Sequence, residues 1–291
     1  MIAIIAPSLD DKRIYPVHQL SAGAVHRSRV VLRHASGKGA NAARAAAKRG
    51  ASVTLCALAG EATAALLADQ LGFLGVRLAL IPTRAATRSC VTVLEDDGRA
   101  TELVQEALPV EDDERDAFIQ TALECIDGAD AVLLAGSLPP GIPQDFYQQC
   151  VRRAAVHGIP VVIDVQGPAL LAALPGSDAV VKINREEFNA LGQHLPDSPE
   201  GESEIACALL DRGARSVIVS NGPLAVRMWE NGRGFDLPLP EIQPVNPVGS
   251  GDAMSGGITL GLSEGRSLGE SVGIGISMGI ANARTLLPGD L

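Results

Sequence analysis

Short apolar runs, spaced by stretches of helical character, limit this chain's fold more than any other feature of its sequence. Residues 2–6 (IAIIA), 53–58, 131–135, 161–165, 179–183 and 216–219 are apolar and too short for helices, so they read as buried strands. Helical patterns fill the intervals at residues 62–74, 112–126, 143–157, 185–191 and 203–212. A parallel pair of strands needs a crossover between its members, and helical crossovers cover both faces of the sheet. The predicted class is therefore α/β, with a mainly parallel central sheet sandwiched between helices. With 291 residues, 46% of them apolar, the chain can fill such a core as a single domain over 1–291.

Charge narrows the partners. The formal net charge of −10, with no basic run, argues against nucleic acid and against an anionic membrane surface. Any phosphate bound here must be held by local cations and N–H groups. Cys56, Cys90, Cys125, Cys150 and Cys207 lie far apart with no C-x-x-C pair, which points to reduced thiols and a cytoplasmic location rather than a disulfide frame or a zinc site. The N-terminal residues carry no basic leader, so no signal peptide is expected, and no window reads as a membrane span.

A second, smaller sheet is expected outside the core. Residues 22–33 alternate without a clean apolar face, as an exposed strand would, and residues 76–81 and 89–94 read as further strands of the same appendage. This lid would be built from about 11–34 and 76–105.

Two glycine turns open helices. In NPVGSGDAMSGGITLGL, residues 246–262, Gly249, Ser250 and Gly251 form a tight turn whose free N–H groups, backed by the helix dipole, make an anion site. Asp252 stands at its lip, where a carboxylate makes chemical sense if it takes a proton from a group attacking the anion. A turn that only punctuates structure is the plainer alternative. The second turn, HASGKGAN at 34–41, carries Gly37, Lys38 and Asn41 before an alanine-rich helix ending at Gly50; its spacing is not that of a Walker A loop. Asp10 follows the first strand, where open α/β sheets place ligand contacts or, more simply, a turn. Three more segments follow strands: residues 135–141, Lys182 through Glu187, and Ser220, Asn221 and Gly222. Asn184 and Glu187 have the spacing of a capping box.

Taken together, these stretches make the chain resemble the ribokinase/PfkB carbohydrate kinase family, and within it the branch that holds 1-phosphofructokinase and tagatose-6-phosphate kinase. HASGKGANAARAAAKRG and NPVGSGDAMSGG resemble the family's two glycine signatures, and GSLPPGIP, VKINREEF and TRSC (87–90) resemble the phosphosugar branch. It departs from the usual pattern at Pro247, Ser250 and Cys90, where relatives usually carry Thr, Ala and Asn. The resemblance implies a ribokinase-like three-layer α/β/α sandwich with a small β lid. It implies transfer of the γ-phosphoryl of ATP, with Mg2+, to a hydroxyl of a hexose phosphate such as fructose 1-phosphate, fructose 6-phosphate or tagatose 6-phosphate. Asp252 would be the base, and the N–H groups of Gly249, Ser250 and Gly251 the anion hole. Asp10, Gly37 and Asn41 would hold the sugar, and Lys38 and Arg88 would face its phosphate. Asn184 and Glu187 would organise magnesium, and Lys182, Ser220, Asn221 and Gly222 would lie along the nucleotide. The lid would pair two subunits into a homodimer. Two alternatives stay open: a kinase of an unphosphorylated sugar or nucleoside, and a non-catalytic sensor of sugar phosphates or nucleotides.

Overall fold

The computed structural model describes residues 1–192 and 198–291. Its strands are β1 (Ile2–Ala6), β2 (Asp10–Val17), β3 (Leu32–Ser36), β4 (Val53–Gly60), β5 (Arg77–Thr83), β6 (Ser89–Glu95), β7 (Ala100–Val104), β8 (Ala131–Ala135), β9 (Val161–Asp164), β10 (Ala179–Asn184), β11 (Ala214–Ser220), β12 (Val226–Glu230) and β13 (Arg233–Leu237). Its α-helices are α1 (Lys38–Lys48), α2 (Glu61–Leu71), α3 (Asp112–Asp127), α4 (Phe146–Val156), α5 (Gly167–Ala173), α6 (Arg185–Leu191), α7 (Pro199–Asp211), α8 (Ser250–Ser263) and α9 (Leu268–Ala283).

Every residue of β1 is buried, and the period of two along a strand divides them between opposite faces. Ile2, Ile4 and Ala6 join one apolar cluster with Ala42 of α1, Leu67 of α2, Ile258 of α8 and Val272 of α9. Ala3 and Ile5 join the other, with Phe118 of α3, Cys150 of α4, Leu170 of α5, Phe188 of α6 and Leu209 of α7. The result is the three-layer α/β/α sandwich that was expected. The large sheet runs β13-β12-β11-β10-β9-β8-β1-β4-β5, with β1 pairing in parallel to both β4 and β8, and with β12 and β13 antiparallel at one edge. The small sheet runs β3-β2-β6-β7; β2 and β6 are parallel and the outer pairs antiparallel.

Two expected strands lie elsewhere. Residues 76–81 belong not to the small sheet but to β5, which pairs with β4 at the edge of the large one. Residues 22–33 are extended only from Leu32 onward; Gly23 turns with φ 78°, and the Ser28 hydroxyl donates to Pro16 O and Val30 O, which leaves this stretch without a ladder. The small sheet is instead completed by β2, whose alternation buries Asp10, Lys12 and Ile14 on its inner face.

Helix α8 meets its neighbours through Ala253, Met254 and Ile258 and, between them and beyond, through bare glycines. A Cβ on Gly257 would lie 2.7 Å from Gly275 Cα of α9, one on Gly261 2.7 Å from Ser271 Cα, and one on Gly256 2.8 Å from Ala42 O of α1. Three helix backbones are thus pressed together behind the start of α8, closer than any other residue type permits.

Candidate active site

The carboxyl ends of β1, β8, β9, β10 and β11 open onto one cavity of about 870 Å³, the position where open α/β sheets hold ligands. Ser8, Asp10, Gly37, Lys38, Asn41, Arg88, Gly136, Ser137, Lys182, Asn184, Ser220, Gly222 and residues 249–252 all border it. The sequence-predicted residues therefore converge, with two exceptions: Asn221 and Glu187 are not among those bordering the cavity, and Glu187 reaches the site through Lys38.

Gly249 adopts φ 85°, the left-handed conformation that suits glycine, and caps α8. That turn brings the Ser250 N–H onto Pro247 O at 3.2 Å, so Ser250 does not offer its N–H to an anion as expected. Among the described residues the N–H groups of Gly249, Gly251 and Asp252 have no backbone partner and remain for one. Lys182 Nζ fills the space beside Gly251, where an added Cβ would lie 2.7 Å from it. The turn is tied from behind by Asn282, fully buried, whose Nδ2 donates to Val248 O (3.0 Å) and Ser250 Oγ (3.2 Å) and whose Oδ1 accepts the Gly289 N–H (2.6 Å).

Asp252 sits in the first turn of α8. Asn41 Nδ2 donates to its Oδ2 (2.8 Å), while the Ser36 hydroxyl donates to Asn41 Oδ1 (3.0 Å) and fixes the amide. Asn41 was expected on the sugar; here its amide orients the carboxylate. Burial, and then the nearby charge of Asp164, push the Asp252 carboxyl up to about 6, against the opposing pull of Asn41, Lys38 and Lys182. A carboxylate in that range is a usable base near neutral pH.

Asp164, at the end of β9, is not among the residues that sequence reasoning singles out. It is fully buried and accepts from Lys38 Nζ (2.6 Å), Lys182 Nζ (3.3 Å) and Ser255 Oγ (2.6 Å). Burial alone would raise its carboxyl; Lys182 and Lys38 more than reverse this and hold it near 2. Lys38 also donates to Glu187 Oε1 (2.9 Å). Burial opposes the Lys38 charge, but Asp164 and Glu187 prevail and raise its ammonium above the usual value. Lys38 is thus held by two carboxylates, and Arg88 by Asp10 and Ser137, so the two cations share no partner, although the expectation had both face one phosphate. The capping box is present as well: Asn184 Oδ1 accepts the Glu187 N–H (2.8 Å) and Glu187 Oε2 accepts the Asn184 N–H (3.1 Å). Glu187 serves both the cap and the cluster, one oxygen to each.

Arg88, just before β6, donates from Nε to Asp10 Oδ1 (2.6 Å) and from Nη1 to Ser137 Oγ (3.4 Å). At the opposite end, Val226, Leu239, Ile276, Ile280 and Ala283 give the cavity an apolar slot beyond Ser220 and Gly222, of a kind that suits a flat heterocycle.

The family model of the pfkB family carbohydrate kinases matches residues 5–285. Among solved structures, phosphofructokinase-2 from Escherichia coli, in its tetrameric inhibited form, superposes with a TM-score of 0.85 at 28% identity over 97% of this chain and 93% of that one. The same enzyme has been solved with fructose-6-phosphate. A possible 1-phosphofructokinase from Thermotoga maritima matches with a TM-score of 0.86 at 17% identity, over 98% of this chain and 92% of that one. An Arabidopsis thaliana ribokinase complexed with ribose and ATP matches at 0.74 and 21%, over 99% and 94%. The last two, at these identities, speak to fold alone.

Proposed function

As a member of the pfkB family of carbohydrate kinases the chain is a sugar kinase, and we propose that it transfers the γ-phosphoryl of ATP to a hydroxyl of a hexose phosphate. The observation that carries this reading is the meeting, in one cavity, of a base with a raised pKa, a turn of free N–H groups, and Arg88 beside Ser137. Asp252 accepts the acceptor hydroxyl's proton with one oxygen while Asn41 holds the other. The free N–H groups of Gly249, Gly251 and Asp252, with Lys182 beside them, hold the transferring phosphoryl, since this chemistry needs mainly positioning and charge stabilisation. Arg88 and Ser137 take the phosphate already on the sugar, and Asp10 holds Arg88 in place for it.

Asn184, which borders the cavity, and Glu187 beside it are hard oxygen donors that would hold a magnesium ion, whereas Asp164 is fully buried with both oxygens taken by Lys38, Lys182 and Ser255. Such an ion would supply neutralisation of the ATP phosphates' charge. Glu187→Gln keeps an oxygen for the cap and removes the charge, so the magnesium concentration for half-maximal activity should rise roughly tenfold with melting little changed. A change in stability alone would leave Glu187 as a cap and nothing more.

Arg88→Ala tests the acceptor. A guanidinium on a phosphate should be worth about tenfold or more in kcat/KM. That loss is expected with fructose 6-phosphate in an ADP-release assay and should be much smaller with fructose. Equal losses on both would favour a kinase of unphosphorylated sugars. No turnover over a panel of sugars and sugar phosphates would favour the sensor reading.

The small sheet would act as a lid and pair two copies. Leu103 of β7 is 67% exposed, and Val25, in the connection between β2 and β3, 78%; such apolar surface is covered in most soluble proteins. Leu78, in β5, packs instead against the core of the large sheet. Light scattering at micromolar concentration should give a dimer or a higher multiple, the inhibited form of the phosphofructokinase-2 relative being tetrameric; a monomer would reject the pairing.

A further inference from the structure

The inner face of the small sheet carries a charged pair that the reaction described above leaves unused. Lys12 follows Asp10 by two residues on β2, so it shares its face and lies about 7 Å further along the strand. In register it stands opposite Cys90, Cys90 opposite Val104, and Thr92 opposite Glu102. Lys12, Cys90 and Glu102 all border the same cavity as Asp252.

Lys12 is only 3% exposed, and its Nζ donates to Glu102 Oε1 at 2.6 Å. An ammonium has three N–H donors, and among the described residues the other two have no partner. Glu102 is loaded unevenly: Oε1 also accepts from Thr92 Oγ1 (2.9 Å) and from the Cys90 thiol (3.8 Å), whereas Oε2 accepts nothing among the described residues. A buried ammonium with idle donors is costly, and ligand oxygens would offset that cost. The pair is neutral and Glu106 also borders the cavity here, so a second phosphate is disfavoured. A hydroxyl suits both partners, because its oxygen can accept from Lys12 while its proton goes to Glu102.

Resting on the sugar-kinase reading, we infer that Lys12 and Glu102 are specificity-determining residues that read a hydroxyl of the acceptor, restricting the substrate to molecules hydroxylated at the end that faces the small sheet. The competing account is a stitch joining β2 to β7, which would favour no substrate over another.

The test compares wild type, Lys12→Met and Glu102→Gln by ADP release, with fructose 6-phosphate and each monodeoxy analogue that wild type still phosphorylates, recording melting temperature for each variant. Lys12→Met should lose roughly 10- to 100-fold in kcat/KM on fructose 6-phosphate, mostly through KM, with the KM for MgATP unchanged. One analogue, lacking the hydroxyl that is read, should lose less than about threefold, because its contact is already gone. Glu102→Gln should single out the same analogue. Equal losses across all analogues, or no loss, overturn the inference in favour of the stitch. Should Lys12→Met fail to fold, Glu102→Gln and Lys12→Gln decide the same comparison. Turnover of unphosphorylated sugars alone would overturn the hexose phosphate reading, and deoxy forms of that sugar would then decide this one. If wild type phosphorylates no sugar, both fall together.

Discussion

Asp252→Asn should lower kcat roughly 10²- to 10⁴-fold while leaving ATP binding nearly unchanged, because the amide keeps the shape and the Asn41 contact but cannot accept a proton. The same change should make the protein more stable at pH 8. The folded-state carboxyl lies at about 6 against an ordinary 3.8, so the folded state binds the proton more tightly than the unfolded chain does. The stability which that proton confers is complete below 3.8 and lost as pH rises through about 6. Above that, the ionised side chain costs at most ~3 kcal/mol, less whatever solvent reaches its open edge. Asparagine carries no such charge. Denaturant melts should show the variant ahead at pH 8 and level with wild type near pH 4, and wild-type kcat/KM should fall on the acid side near pH 6. Turnover within tenfold of wild type rejects the base; a variant less stable at pH 8 rejects the electrostatic account.

Asp164→Asn should be the most damaging substitution to stability in the site. It leaves Lys38 and Lys182 without the buried carboxylate between them, and breaking a buried pair costs about 3–5 kcal/mol. The sign is opposite to that at Asp252. A carboxyl lowered to about 2 stabilises the fold above 3.8 and loses that contribution as pH falls through 2, so the gap between variant and wild type should narrow on acidification towards pH 3. Removing the Asp164 charge also removes one cause of the raised Asp252 carboxyl, so the acid limb of kcat/KM should move below 6. An unmoved limb would mean that burial alone sets the base.

Why some of this was legible in the sequence and some was not follows from the range of the forces involved. Strands β1, β4 and β8 to β11, the two glycine turns and the Asn184–Glu187 box announce themselves through neighbours two to four residues apart, whereas β5 looks from sequence like part of the small sheet. Helix α9 and the hairpin of β12 and β13 carry local signals of the same range: Ser267 and Glu270 form a capping box, and Asn231-Gly232, with φ 52° and 71°, is the usual two-residue hairpin turn. Asp164 was beyond reach, since within VVIDV it looks like the end of a strand, and its partners Lys38 and Ser255 are 126 and 91 residues away. The destination of Lys38 was hidden for the same reason. Lys12 was hidden by sheet pairing: DDKRI shows no clean alternation, and only the pairing of β2 with β6 turns Lys12 inward.

The backbone contact of α8 with α1 and α9 sets how descendants of this chain can change. Asp252 rides on a helix whose seat is partly defined by missing side chains, so nearly every substitution along Gly256, Gly257 and Gly261 adds bulk that must displace a neighbouring backbone. The strands of the small sheet carry no glycine, and on its inner face Lys12 meets Glu102 through side-chain tips rather than through backbone. Drift can therefore revise what the enzyme accepts far faster than how it transfers the phosphoryl, and lineages should differ in diet long before they differ in chemistry.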